Sequence, residues 1–315
     1  MPDEPAPSST PLKEQVKEFW EQQSCDTQVA QAEKYSKEYF ESVEEFRYFD
    51  QPFIHSFAQF SRYRDKRVLE IGFGAGTDFI QWLRAGAKAT GLDLTEEAMR
   101  NLTHRIAIYQ LPQPERILVG DAENLPFESN AFDLGYSFGV LHHTPNTEKA
   151  IAELVRVVRP GGEVKLMLYN RRAIYIINLW IQRALLRGRP WKSLRWVMWN
   201  YLESVGTKGY TRKELVSLLT RLGLDTIEIR TEATAADFLS ASAMKPLNWL
   251  FRIALRAAGW SWGWHTSHYS TRVNDPHPTK PKLVETQRCS HQVLLTGNPL
   301  GYFHCIYARK PTALS

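Results

Sequence analysis

Between Lys66 and Tyr169, short apolar runs alternate with stretches whose apolar residues recur every three to four positions. The runs predict strands at 66–71, 88–94, 116–119, 131–138 and 163–169. The longer period predicts helices at 78–85, 96–110 and 147–158, the last stopped by Pro160-Gly161-Gly162. This alternation specifies an α/β fold: a doubly wound, mostly parallel sheet whose ligands gather at the C-terminal strand ends. Upstream, residues 12–60 carry a helical pattern with aromatics interleaved among acids (Phe19, Trp20, Tyr35, Tyr39, Phe40, Phe46, Tyr48, Phe49). Two or three amphipathic helices are expected there. Residues 1–11, rich in Pro and Ser, are expected to be disordered.

The first strand runs into Glu70-Ile71-Gly72-Phe73-Gly74-Ala75-Gly76-Thr77 and then a helix. Glycines permit a tight turn and a close approach to a ligand, and the helix N-terminus behind them suits an anionic group. A dinucleotide loop would carry its third glycine at position 77; Thr77 stands there and Gly76 precedes it. That spacing favours a nucleoside without a pyrophosphate. Asp93 lies 21 residues beyond Gly72, at the end of the second strand, where a carboxylate can accept both ribose hydroxyl protons. The alternative for Asp93 is helix capping, a role Thr95 is better placed to fill. Asp121 directly follows the third strand and can accept from an adenine amino group. The N-terminal helices then either pack on the core or form a lid over the nucleoside, and the two roles are compatible.

Composition is that of an ordinary globular protein, but charge is split. The net charge of +5 resolves into −8 over residues 1–170 and +13 over 171–315, so the two parts are expected to meet different partners. Cys25, Cys289 and Cys305 lie far apart with neither metal nor disulfide spacing. Together with a polar, acidic N-terminus lacking a signal-peptide pattern, this predicts a cytoplasmic protein. The longest apolar run, 173–181, contains Asn178 and is too short to span a bilayer.

Residues 66–170 resemble the class I S-adenosylmethionine-dependent methyltransferases, in particular the group that includes ubiquinone and menaquinone biosynthesis methyltransferases. The resemblance rests on VLEIGFGAGTD (68–78), GLDLTEEAM (91–99), GDAENLPFESNAFD (120–133), FGVLHHTPN (138–146) and ELVRVVRPGGEVKL (153–166). It implies that Glu70, Gly72, Gly74 and Gly76 hold the methionine part of the cofactor, with Thr77 reaching its carboxylate. Asp93 would bind the ribose and Leu94 the adenine face, while Asp121 and Ala122 would meet the adenine edge. Ser137 and Phe138 would lie beneath the sulfonium. It also implies a seven-stranded Rossmann-like sheet, with strand six at 225–230 after a helix at 211–223. Strand seven, at 302–309, would be antiparallel between strands five and six. The domain plan is then a helical lid (12–60), a cofactor-binding core (61–170), a basic Trp-rich cap insertion (171–210), core again (211–230), a second cap insertion (231–300), and a last strand with its tail (301–315).

Methyl transfer from a sulfonium releases a neutral leaving group, so alignment supplies most of the acceleration, and an oxygen nucleophile also gains from a base. His142 and His143, just after the fourth strand, are the candidates, with His143 preferred; either can instead brace the loop through hydrogen bonds. Ser137-Phe138-Gly139-Val140 replaces the Asn/Asp-Pro-Pro-aromatic tetrad of methylases acting on nucleic-acid or protein amino groups. Residues 171–210 hold eight Lys/Arg, one acid and Trp180, Trp191, Trp196 and Trp199. Such a cap suits an aromatic, polyketide-like or lipid small-molecule acceptor. A helical subdomain with a solvated basic face is the plain alternative; among the functional readings, contact with an anionic membrane surface ranks second and nucleic acid last. His265, His268 and His277 have no familiar metal spacing, and no metal is expected. The reading is an S-adenosylmethionine-dependent O-methyltransferase, yielding S-adenosylhomocysteine. N-, S- or C-methylation and a non-catalytic membrane-surface scaffold are the alternatives.

Overall fold

The computed structural model describes residues 11–232 and 300–312. All of the second cap insertion between 233 and 299, with His265, His268 and His277, therefore lies outside the described residues, as do residues 1–10, while its first two residues belong to the sixth strand. Strands β1 (Arg67–Ile71), β2 (Lys88–Asp93), β3 (Arg116–Val119), β4 (Phe132–Phe138), β5 (Val158–Tyr169), β6 (Asp225–Glu232) and β7 (Phe303–Arg309) form one sheet. Its order is β3-β2-β1-β4-β5-β7-β6, parallel except for β7, which runs antiparallel between β5 and β6. Strand order reverses between β1 and β4, which pair in parallel through Glu70 and Tyr136. That reversal opens a crevice at the C-terminal strand ends.

One expected boundary moved. β5 begins at Val158 rather than at the expected Glu163 and passes through Pro160-Gly161-Gly162. Val158 pairs with Phe132 and Glu163 with Leu134, so four residues are accommodated as a bulge. The bulge is held from the other side: Gly161 N–H donates to the Lys310 carbonyl at 2.8 Å and Lys310 N–H to that of Gly162 at 3.0 Å. Gly161 takes φ +74°, which a side chain would resist. A strand from the distant C-terminus thus supplies pairing that a local reading cannot foresee.

Ahead of the sheet stand α1 (Leu12–Gln22), α2 (Lys37–Asp50) and α3 (Ile54–Ala58). The apolar face of α2, Tyr39, Phe40 and Val43, packs on Ala75 in the glycine loop. The fully buried Arg105, from α5 (Glu96–Ile108), fastens the two together. It donates to the carbonyls of Ala75 (3.0 Å) and Phe40 (2.7 Å), to Thr77 Oγ1 (2.6 Å) and to Glu44 Oε2 (3.3 Å). Hydrogen bonds from a charged donor contribute about 1.5–3 kcal/mol each, so the loop is built into its neighbours. The remaining helices α4 (Phe79–Arg84) and α6 (Thr147–Val157) connect strands, and α9 (Arg212–Arg221) precedes β6. Between β5 and α9, residues 171–210 form α7 (Ile174–Arg183) and α8 (Leu194–Tyr201). Among the described residues no helix is long and apolar enough to cross a membrane.

Candidate active site

Each glycine of the loop after β1 answers a different demand. A Cβ at Gly72 would fall 2.3 Å from Val140 Cγ2, so the loop after β4 excludes any side chain there. At Gly74, with φ +49°, a Cβ would meet nothing within 4 Å; the space beside it is the crevice itself. Its N–H donates to Asp93 Oδ2 at 3.0 Å.

The crevice collects Glu70, Thr77, Asp93, Leu94, Asp121, Ala122 and Phe138 along with Gly72 and Gly74. Opposite them lie Met167, Tyr169 and Phe303, an apolar wall, with His143 at its edge. Three expected residues do not line the crevice. Gly76 packs against α5 instead: at φ +74°, a Cβ there would lie 3.0 Å from Leu102 Cδ1. Ser137 is buried, and its hydroxyl donates to the Ile71 carbonyl at 3.0 Å, tying β4 to β1. Side chains alternate along a strand, and Phe138 takes the crevice-facing place. His142 is wholly buried behind His143, its ring 3.9 Å from that of Tyr169.

The three acids differ in environment. Asp93 Oδ1 accepts from Thr95 N–H (3.0 Å) and Thr95 Oγ1 (2.9 Å). Burial raises its pKa, and the bonds from Gly74 and Thr95 counter that only in part. It therefore braces the helix start as well as the loop, while Thr95 itself caps α5 by accepting from Ala98 N–H. Asp121 Oδ2 accepts from Lys13 Nζ at 2.6 Å. Glu70 is almost fully buried and accepts from Trp82 Nε1–H at 2.7 Å. Burial, and then the charge of Asp78, push its pKa well above the usual carboxylate range. Burial opposes ionisation of Asp78 too, but Arg47 (2.9 and 2.7 Å), Tyr136 and Tyr48 outweigh it and hold that carboxyl low. Arg47 also serves Asp26 at 3.0 Å.

Glu70 is thus a carboxyl paired with a neutral indole beside a charged neighbour, a setting that a ligand ammonium would relieve. Glu70→Gln tests this. A raised pKa means that the native state keeps the proton longer than the unfolded chain. The associated stability is lost as pH rises through the shifted value. The variant is expected to melt higher than the parent near pH 8 and to lose that advantage near pH 5, as read by thermal unfolding at the two pH values. A parent whose stability relative to the variant is the same at both pH values would refute the assignment.

Sequence reasoning missed the segment that frames His143. Nδ1 lies 2.9 Å from Thr207 Oγ1 and 3.1 Å from Ser204 Oγ. Nε2 lies 3.2 Å from Glu203 Oε2, within ion-pair distance but out of line for a hydrogen bond. Tyr169 Oη donates to both Glu203 oxygens at 3.0 Å, and Lys208 N–H holds the His142 carbonyl at 3.0 Å. Glu203 takes a left-handed φ of +52°, which aims it at the histidine. Donor atoms of His142, His143 and Glu203 lie within 4.8 Å of one another, but the Tyr169 hydroxyl already engages both Glu203 oxygens. Nothing in Glu203-Ser204-Val205-Gly206-Thr207-Lys208 distinguishes it in sequence from a turn. Above the crevice, Lys13, Val16 and Trp20 present one face of α1 to it, and the Trp20 ring meets His143 edge-on at 5.1 Å.

The sheet order, the open glycine loop and acids at three successive strand ends define a Rossmann-like methyltransferase fold, and the donor set fits an S-adenosyl group. Residues 69–166 match the family model described as a methyltransferase domain, so the chain carries a class I S-adenosylmethionine-dependent methyltransferase domain. The phthiotriol/phenolphthiotriol dimycocerosates methyltransferase of Mycobacterium leprae (strain TN) is 39% identical over 101 residues, which cover 31% of this chain and 36% of that protein. The chloroplastic tocopherol O-methyltransferase of Arabidopsis thaliana is 27% identical over 205 residues, 62% of this chain and 54% of that one. The chain thus spans about a third to a half of the length of these relatives. The geranyl diphosphate C-methyltransferase of Streptomyces coelicolor A3(2) superposes with a TM-score of 0.53 at 14% identity, covering 96% of this chain and 100% of that one, and so shares the fold.

Proposed function

We propose that the protein transfers a methyl group from S-adenosylmethionine to an oxygen of a hydrophobic small molecule. The observation that carries this reading is the meeting, in one crevice, of Glu70, Asp93, Asp121 and the open Gly74 backbone with an apolar wall that has a histidine at its edge. The cofactor, when bound, supplies an electrophilic methyl group on a sulfonium. Glu70 would hold its ammonium group, Asp93 its ribose hydroxyls and Asp121 its adenine amino group. Thr77 would lie toward its carboxylate, while Arg47 lines the crevice with its guanidinium bound to Asp78 and Asp26. Phe138, Met167, Tyr169 and Phe303 would exclude water from the acceptor. His143 would take the proton of the accepting hydroxyl, and the Glu203 carboxylate beside it would stabilise the imidazolium so formed. A tocopherol O-methyltransferase among the relatives supports oxygen as the accepting atom.

The test is calorimetric titration of the full chain with S-adenosylmethionine and S-adenosylhomocysteine, followed by labelled methyl transfer to phenols and hydroxylated lipids. Binding of both, and label in an ether-linked product, is the expected result. Absence of binding with and without acceptor would overturn the reading.

A further inference from the structure

The turn between α7 and α8 carries an exposed apolar tip that nothing in the site explains. Leu185, Leu186 and Trp191 are 43%, 66% and 70% exposed, three large apolar side chains within seven residues. Scattered exposed apolar residues are normal on any protein; a concentrated group on a rigid tip is not. The turn is held by its own backbone: Arg187 and Arg189 N–H both donate to the Ala184 carbonyl (3.1 and 2.9 Å), and Gly188 N–H to that of Leu185 (3.1 Å). The Trp180 indole closes its base by donating to the Lys192 carbonyl.

The rim of this tip is positive. Residues 171–202 contain no Asp or Glu. Arg187 and Arg189 are exposed, with no acidic partner among the described residues. The base of the hairpin reaches the apolar wall through ring contacts: Tyr175 on α7 meets Tyr302 edge-on at 5.2 Å, and Tyr302 stacks on Tyr169 at 4.3 Å.

We infer that the α7–α8 hairpin docks this protein on an anionic lipid surface. Leu185, Leu186 and Trp191 enter the headgroup layer, and Arg187 and Arg189 meet lipid phosphates. Trp favours the membrane–water boundary, aliphatic side chains gain by leaving water, and basic residues near an anionic leaflet each add attraction. Nucleic acid is the poorer fit, because the two leucines at the tip offer no stacking face. The inference also gives the hydrophobic acceptor a source beside the crevice. That consequence rests on the proposed function; the docking does not.

The full chain is sedimented with phosphatidylcholine vesicles and with vesicles holding about 30% phosphatidylglycerol, at about 0.1 M and about 1 M salt. Two variants, Arg187→Glu/Arg189→Glu and Leu186→Ser/Trp191→Ser, are compared. Their melting temperatures and S-adenosylhomocysteine affinities, measured without lipid, report whether fold and cofactor site are intact. The expected result is co-sedimentation with the anionic vesicles, reduced by salt, with partitioning lowered about tenfold or more in each variant. Parent protein that stays in solution with both vesicles, or variants that partition like the parent, would overturn the docking. So would retention of the parent by RNA but by neither vesicle. A parent that docks on anionic vesicles but binds no S-adenosylhomocysteine would count against the proposed function and leave the docking standing.

Discussion

Asp93→Ala is expected to weaken S-adenosylhomocysteine binding by at least about a hundredfold while the protein still folds. Each hydrogen bond from a ribose hydroxyl to a carboxylate contributes about 1.5–3 kcal/mol, so two of them alone span that range. The structure adds a second route to the loss. Asp93 Oδ2 is the acceptor for Gly74 N–H, and without it the glycine loop loses a tether on the crevice side. The fold should survive because Thr95 still caps α5 through Ala98 and Arg105 still fixes the loop to α2. Asp93→Asn separates the contributions: it keeps an oxygen for Thr95 and gives up the charge. Titration of the three proteins, with melts in the absence of ligand, checks this. An alanine variant with parental affinity would leave Asp93 with its structural duties only.

The second large effect is expected at His143. His143→Ala should lower kcat for an oxygen acceptor by about two to four orders of magnitude, the usual contribution of a positioned base. Cofactor affinity should be unchanged, because the acids proposed to hold the cofactor lie on other strand ends. His143→Gln distinguishes a base from a brace: it can keep a hydrogen bond toward Ser204 and Thr207 but cannot accept a proton. A glutamine variant as slow as the alanine variant supports proton transfer. Recovery of the parental rate would assign the ring to holding the loop through those two hydroxyls. His142 is a poor substitute for it, since its ring lies buried behind His143 rather than lining the crevice.

Much of this was legible in sequence because the relevant signals are local. The period of apolar residues placed β1 to β4 and the helices α4 to α6 to within a few residues, while the last two strands came from the family resemblance, and the strand ends placed Glu70, Asp93 and Asp121 side by side. The missing pieces share a different origin. Arg47 reaches Asp78 across 31 residues, Ser204 and Thr207 reach His143 across more than 60, and Lys13 reaches Asp121 across 108. In sequence each is a polar residue on an amphipathic helix or in a turn, where solvation is the ordinary expectation. The packing of α1 and α2 over the glycine loop turns Lys13 and Arg47 inward, and the turn after α8 does the same for Ser204 and Thr207. Ser137 lies outside the crevice for a simpler reason: neighbouring residues on a strand face opposite ways, and Phe138 is the one that lines it.

Helix α1 spans the crevice with Lys13 on Asp121 at one end and Trp20 on His143 at the other. Seven residues of helix cover about 10 Å, and a helix moves as a unit. Under the proposed function, entry of the donor and departure of the methylated product would call on the same displacement. The two exchange steps would then share one barrier, and turnover at saturating concentrations of both would be paced by a single motion rather than by two independent ones.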